Sequence, residues 1–173
     1  MAKSLIDPSG AIIQKKATSM AASLNATFKK LLTKDEKLKG PFEGWKFAVS
    51  RNQVDKMRTP QEQAACVSAG SSQVCWGAHM ADKARHVHME KGTKLVHNPK
   101  KEFGEHLPVL ITHYVAAMKA AGLVNAAGKL GWFTGDCFHV ELPESKIDKN
   151  GALAKACIDT YVDLTRVKKR KKN

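Results

Sequence analysis

The sequence predicts an α+β fold, a compact single domain in which a small antiparallel sheet is flanked by helices. The chain has 173 residues, and a domain of this size buries about two-thirds of the surface that its unfolded chain exposes. Apolar residues recur at helical spacing in the longer segments, whereas polar and apolar residues alternate only in short ones. Long helices and a few short strands in one chain are typical of an α+β domain.

The helical segments carry recognisable start and stop signals. Thr59 is a suitable N-cap, because Pro60 follows at the first helical position and Glu62 at the third. Gly122 follows a segment with one apolar face and is a suitable stop. The predicted helices cover residues 11–32, 59–68, 107–121 and 151–164.

Three short segments, residues 45–50, 86–89 and 139–142, alternate polar and apolar side chains and are predicted strands. The charged stretch 33–41 ends in Gly-Pro and is interpreted as a linker. The chain therefore divides into an N-terminal helix and linker (1–44), a domain expected to hold the functional site (45–165) and a basic C-terminal tail (166–173). The tail is expected to be disordered or weakly ordered.

Composition and the first residues of the chain indicate where in the cell the protein is expected. The chain has no apolar run of 18 residues, so no membrane span is expected. The first eight residues lack the apolar core of a signal peptide, which predicts a cytoplasmic protein, and we expect a monomer. The four cysteines form no C-x-x-C pair and are expected to be free thiols in packing roles.

The net charge of +13 indicates an anionic partner. Six lysines and arginines fall in the last eight residues, and the remainder still has 23 basic against 16 acidic residues. Such a charge favours polyanions such as nucleic acid, anionic lipid or the bacterial cell envelope. The alternative for the tail is a purely solubilising end.

The segment 135–142 holds the densest group of candidate catalytic residues. Asp136, His139 and Glu141 occupy positions i, i+3 and i+5. On a strand, His139 and Glu141 share one face, and Asp136 lies in the loop before it. A base, a nitrogen ligand and an orienting carboxylate at this spacing suit metal-assisted hydrolysis. The alternative is a strand with one surface histidine and two solvated acids.

A metal site needs ligands from more than one segment, and three of the seven histidines fall within ten upstream residues, at His79, His86 and His88. His86 and His88 share a face if they lie on a strand. His88 is a candidate second-shell or alternative ligand. A chance cluster of solvated or satisfied imidazoles is the alternative. Three further histidines have no matching partner and are expected to be solvated or buried in the core: His97, His106 and His113.

In order and approximate spacing, residues 45–142 resemble the LAS-type zinc peptidases, which include D-alanyl-D-alanine carboxypeptidases and phage L-alanyl-D-glutamate endopeptidase endolysins. That family has an Arg-Thr/Ser-x-x-x-Gln segment, a Ser-x-His-x-x-Gly-x-Ala-x-Asp motif, a Gly/Trp turn and an Asp/Glu-x-x-His-x-Glu motif. The last motif is matched in full. The similar positions are Arg58 and Gln63 in the first segment, Gly131 and Trp132 in the turn, and Asp136, His139 and Glu141 in the last motif.

The middle motif departs from the family pattern. With His79 on the family's histidine, His86 occupies the position of the aspartate ligand. The expected zinc ligands are therefore His79, His86 and His139, which leaves a fourth position for water. A second frame would use Cys75 and Asp82 with His139, but it loses a matching alanine. A third outcome is a family fold that has lost its metal and its activity.

The resemblance also implies roles for other residues. Asp136 would be the general base, and Arg58 would bind a carbonyl oxygen or a substrate carboxylate and stabilise the oxyanion. Glu141 would hydrogen-bond a ligand histidine or bind the substrate amine. Trp132 is expected to pack beneath the site. The implied cofactor is Zn²⁺, and the implied substrate is the peptide stem of bacterial peptidoglycan, reached after release from the host cytoplasm as an endolysin is.

Two other functions compete with a peptidase. The pI of 9.7 and the basic tail favour a nucleic-acid-binding or ribonucleoprotein component, although only 6% of the residues are aromatic and no common nucleic-acid motif is present. The altered middle motif favours a virion or assembly protein built on an inactive peptidase fold.

Overall fold

The computed structural model describes residues 9–52, 57–72, 74–143 and 150–170, and it has the predicted α+β architecture. None of the described helices is both long enough and apolar enough to cross a membrane. The α-helices are α1 (Ser9–Lys34), α2 (Lys39–Phe42), α3 (Pro60–Ser68), α4 (Pro99–Phe103), α5 (Leu107–Ala120) and α6 (Ala152–Arg170), with 3₁₀ helices at Glu36–Leu38, Ala78–Ala81 and Gly104–His106. The strands are β1 (Lys46–Val49), β2 (Ala84–Lys91), β3 (Lys94–Leu95) and β4 (His139–Glu141).

The antiparallel sheet is organised around β2, which pairs with β1, β3 and β4. Its side chains alternate between the core and a more open face. Val87 and Met89 are buried, whereas His86 and His88 are half-buried on the other face. In the pairing of β2 with β4, His86 lies directly opposite His139. The strand therefore separates an apolar core from a face that carries imidazoles.

Most apolar side chains belong to a main core in which α1 and α5 pack with the sheet. The N-terminal helix is part of this core and contributes Ile13, Met20 and Phe28. Other members come from the sheet, from the residue just before β4 and from α5. They include Phe47, Val87, Met89, Leu110, Tyr114, Met118, Phe138 and Val140.

A second, small core consists of Ala64, Cys75, Met80 and Cys157. It joins α3 to α6 and supports the 3₁₀ helix Ala78–Ala81. Burial, together with a hydrogen bond to the Cys75 thiol, raises the pKa of Cys157 to about 12. The Cys157 thiol therefore remains protonated and acts as a small apolar group.

The prediction of a linker over residues 33–41 is wrong. The Asp35 side chain accepts a hydrogen bond from the Lys37 backbone N–H at 3.0 Å and starts a 3₁₀ helix, which continues into α2. Pro41 lies in the first turn of α2, where a backbone N–H has no partner within the helix, so proline is tolerated. Phe42 then anchors this segment by stacking on Phe103 at a centroid distance of 4.9 Å.

The prediction of a weakly ordered tail from residue 166 is also wrong for the part that the structure describes. Helix α6 continues to Arg170, and the remaining tail residues 171–173 lie outside the described part. Lysine and arginine have high helix propensity, and positive charge at a helix C-terminus is favourable. Basic residues at the end of a helix therefore extend it.

Candidate metal centre

His86 and His139 meet because the sheet places them opposite each other. Residues directly opposite in an antiparallel pair have Cβ atoms about 4.5–5.5 Å apart. The two imidazole rings lie 5.4 Å apart between centroids and are almost perpendicular, at 83°. Because both side chains stand on regular strands, the register of β2 and β4 fixes their separation.

His79 reaches the same point from the 3₁₀ helix Ala78–Ala81. Its backbone carbonyl accepts hydrogen bonds from the N–H groups of Arg58 and Asp82, both at 3.1 Å. Asp82 has a φ of 53°, in the left-handed region, which reverses the chain towards β2. The His79 ring stacks on His86 at 5.1 Å and lies 4.9 Å from His139.

The three histidines fit a metal ion. One nitrogen from each of His79, His86 and His139 lies within 4.8 Å of the others. In a tetrahedral zinc site with Zn–N bonds of about 2.1 Å, ligand nitrogens are about 3.4 Å apart, so movements of about 1 Å would complete such a site. His79 Nε2 and His86 Nδ1 are both shielded from solvent. The donors are imidazole nitrogens, a ligand type that zinc binds.

Carboxylate groups form hydrogen bonds with two of the three imidazole rings, those of His139 and His86. Glu141 Oε2 lies 2.9 Å from His139 Nε2, and Asp136 Oδ1 lies 3.2 Å from His86 Nε2. A carboxylate at Nε2 favours the tautomer that carries its proton there and its lone pair on Nδ1. This arrangement is the usual second shell of a histidine ligand. Glu141 therefore has the histidine-bonding geometry that the sequence predicted for it.

Asp136 combines burial with access to solvent. Burial raises the pKa of its carboxyl, but the hydrogen bond from His86 and the charges of His86, His139 and Arg58 outweigh it, so the pKa lies below its ordinary value. Asp136 is therefore ionised near neutral pH. Its side chain retains 44% of its exposure, so water can reach the carboxylate.

Arg58 is held beside the centre by Gln63. The Arg58 guanidinium donates to Gln63 Oε1 at 3.2 Å, and Gln63 Nε2 donates to Ser72 Oγ at 2.9 Å and to the Val74 carbonyl at 2.6 Å. Gln63 is buried, with 1% exposure. Gln63 is the glutamine of the segment that resembles the Arg-Thr/Ser-x-x-x-Gln pattern, and its role in holding Arg58 was not predicted.

All the predicted site residues line one cavity of about 550 Å³, a volume within the usual range of ligand pockets. The cavity also includes residues that the sequence did not single out, among them Ser71, Ala126 and Phe133. The predicted residues in its wall are Arg58, His79, His86, Asp136, His139 and Glu141.

Tyr114 is a positioning residue that the sequence did not reveal, because it occupies one place on the apolar face of α5. Its hydroxyl lies 3.1 Å from the Val87 carbonyl and 3.0 Å from the Phe138 carbonyl. Burial raises the pKa of Tyr114 well above its ordinary value, so it remains a neutral donor. The hydroxyl thus bridges the backbone next to His86 and next to His139.

Other expectations have mixed outcomes. Trp132 packs beneath the site against Tyr114 and Phe138, as predicted. The alternative ligand frame is wrong, because Cys75 lies in the small core and the Asp82 carboxylate pairs with Arg85 at 2.6 Å. Two histidines pack against phenylalanine rings outside the cavity, His106 on Phe42 and His113 on Phe28.

No protein-family model matches this chain, and no curated protein or solved structure matches it.

Proposed function

We propose that this protein is a zinc-dependent peptidase that hydrolyses an amide bond in the peptide stem of bacterial peptidoglycan. One observation carries the proposal. Three imidazoles from separate segments, His79, His86 and His139, converge in a cavity that also holds the carboxylates of Asp136 and Glu141. Metal-assisted hydrolysis uses such a set of nitrogen ligands together with carboxylates that can transfer protons.

His79, His86 and His139 would hold the zinc ion. When bound, zinc would supply Lewis-acid activation of water and of the substrate carbonyl. Glu141 keeps the His139 ring oriented through its 2.9 Å hydrogen bond. Since the side chain of Glu141 is only 8% exposed, it supports the ligand and is poorly placed to bind substrate.

Asp136 would move the proton. It is ionised, partly exposed and within 3.5 Å of both His86 and His139. As general base it would take a proton from the attacking water, and it would then deliver that proton to the leaving amine. Proton transfer by a positioned side chain contributes about 10²–10⁴-fold to a rate.

Arg58 would stabilise the negative charge that develops on the carbonyl oxygen. Its guanidinium faces the cavity and is positioned by the buried amide of Gln63. A fixed cation costs little reorganisation when charge develops, and removing one such donor lowers kcat by about 10²–10³-fold in well-studied enzymes.

The choice of peptidoglycan is supported by charge and by the resemblance of residues 45–142 to LAS-type peptidases. A net charge of +13 favours association with the anionic cell envelope. The same charge supports a second candidate, a nucleic-acid-binding protein, because α6 ends in a basic run. Binding to nucleic acid that falls steeply with salt, without hydrolysis of peptidoglycan, would favour that candidate.

Hydrolysis of purified peptidoglycan tests the proposal, with new amino groups as the readout. With added zinc, the wild-type protein should release amines. Asp136→Asn should abolish the release while zinc content and fold are retained, because the amide oxygen can still accept a hydrogen bond from His86 Nε2 but cannot take the proton from water. Asp159→Asn, which changes an exposed aspartate on α6, is the matched control and should retain activity. Absence of amine release by the wild-type protein would overturn the proposal.

A further inference from the structure

We infer that the site cleaves within a peptide and does not remove a terminal residue, and that a second cavity containing His88 and His97 binds the part of the substrate beyond the scissile bond. This inference rests on the proposed peptidase function. It adds the mode of cleavage and the residues that recognise one side of the substrate.

The second cavity has a volume of about 280 Å³, near the lower limit for ligand pockets and suited to a short peptide segment. It adjoins the larger cavity, because His86, Gly135 and Asp136 line both. Its own wall includes Ser50, His88, Leu95, Val96, His97 and Phe138.

This arrangement places the proton-transfer group at a junction. Asp136 lies between two cavities, so the chain of a substrate held there has room on either side of the reacting bond. A site that removes terminal residues needs a wall beyond the scissile bond to select the chain end. On the side of Asp136 away from the larger cavity lies the second cavity.

Strand β2 links the two cavities. His86 and His88 are two residues apart on this strand and point to the same face. His86 belongs to the metal centre, whereas His88 projects into the second cavity with its ring 3.6 Å from the Glu90 carboxylate. His97 approaches from the chain that follows β3. The sheet therefore holds the second cavity at a fixed distance from the metal centre.

The lining chemistry indicates what the second cavity binds. Among its described lining residues there is no lysine or arginine, and the wall combines imidazoles and hydroxyls with apolar side chains. Asp136 and the nearby Glu90 disfavour a carboxylate there. The larger cavity, in contrast, contains the Arg58 guanidinium. We therefore assign an uncharged segment of the peptide to the second cavity.

The first test compares cleavage products. The substrate is a stem peptide acetylated at its N-terminus and amidated at its C-terminus, with the unblocked peptide beside it and mass spectrometry as the readout. Cleavage of an internal bond of the blocked peptide is expected. Loss of only a terminal residue from the unblocked peptide, with the blocked peptide intact, would overturn the inference while the proposed peptidase function stands. Zinc-loaded protein that cleaves neither peptide would overturn both.

The second test measures the contribution of the cavity. His97→Ala and His88→Ala should lower kcat/KM for the blocked peptide at least tenfold. The loss should be much smaller for a peptide truncated on one side of the scissile bond, the side that occupies the second cavity. His106→Ala, whose ring packs on Phe42 outside both cavities, is the matched control. Equal losses on full-length and truncated peptides would overturn the assignment.

Binding supplies a readout independent of turnover. The blocked stem peptide should bind the Asp136→Asn protein without cleavage, as measured by isothermal titration calorimetry. Adding His97→Ala should weaken this binding at least fivefold, and adding His106→Ala should leave it unchanged. Binding that is insensitive to His97→Ala would contradict the proposed role of the second cavity.

Discussion

The two sides of the candidate metal centre are built differently. His86 and His139 stand on paired strands backed by the main core, next to Val87 and Val140, which are fully buried. His79 stands on a four-residue 3₁₀ helix backed by the small core of Ala64, Cys75, Met80 and Cys157. Two of the proposed ligands are thus positioned by sheet register and a large apolar core, whereas the third depends on the small core between α3 and α6.

Because of this difference, substitutions in the two cores should have different effects on the stability of the fold and on the position of His79. Loss of packing in the main core should unfold the whole domain, because α1, α5 and the sheet share it. Loss of packing in the small core should displace His79 first, because this core joins α3 to α6. The rest of the fold is stabilised by the main core. The following substitutions test the comparison, from the largest expected effect on the free energy of unfolding to the smallest.

Leu110→Ala removes a fully buried side chain of α5 from the main core. The free energy of unfolding should fall by about 2–5 kcal/mol, the range for such truncations. Zinc affinity of the protein that stays folded should change little. Chemical denaturation measures the first quantity, and Leu130→Ala, at a position that is 54% exposed, is the control. A loss below about 0.5 kcal/mol, the size typical of surface changes, would contradict the role of this core.

Met80→Ala makes the corresponding change in the small core, next to His79. The stability loss should lie near the lower end of the same range, about 2 kcal/mol, because the apolar cluster around this side chain is small. Zinc affinity should fall by about tenfold, as it does when groups that orient a ligand are lost. Competition with a chelator measures that affinity. If Leu110→Ala weakens zinc binding more than Met80→Ala does, the two sides of the centre do not differ as described.

Thr59→Ala removes the N-cap of α3, where the Thr59 hydroxyl accepts from the Glu62 N–H at 3.2 Å and the Glu62 carboxylate accepts from the Thr59 N–H at 2.7 Å. The expected stability loss is about 1 kcal/mol. Peptidase activity should also fall, because Arg58 precedes this cap.

The matched control is Asp35→Ala, which removes the N-cap of the 3₁₀ helix Glu36–Leu38 beside the main core. It should lower the free energy of unfolding by a similar amount, about 1 kcal/mol, and leave peptidase activity unchanged. Equal loss of activity in the two variants would show that the cap of α3 does not position Arg58.

The sequence predicted those features that depend on local signals. The start of α3 follows from the capping box of Thr59 and Glu62, which is formed as predicted. The grouping of Asp136, His139 and Glu141 follows from their spacing on a short strand. In each case, residues close in the chain determine the structure.

Features that depend on distant residues were not predictable. Nothing in the sequence indicates that Cys75 packs on Cys157, or that the Tyr114 hydroxyl bridges the backbone beside two histidines. The linker prediction failed because burial of Phe42 outweighs the local Gly-Pro signal. The convergence of His79 with His86 depends on a reversal of the chain at Asp82, and it was expected only through the resemblance to LAS-type peptidases.

Zinc binding by His79, His86 and His139 can be tested by the metal content of the purified 173-residue protein, measured by inductively coupled plasma mass spectrometry after dialysis. The wild-type chain should hold about one zinc ion, and His86→Ala should lower zinc affinity at least tenfold, as should His79→Ala and His139→Ala. His113→Ala, whose ring packs on Phe28, should keep the wild-type zinc content. A wild-type protein without stoichiometric zinc, or a His86→Ala variant that binds zinc as tightly, would contradict the account.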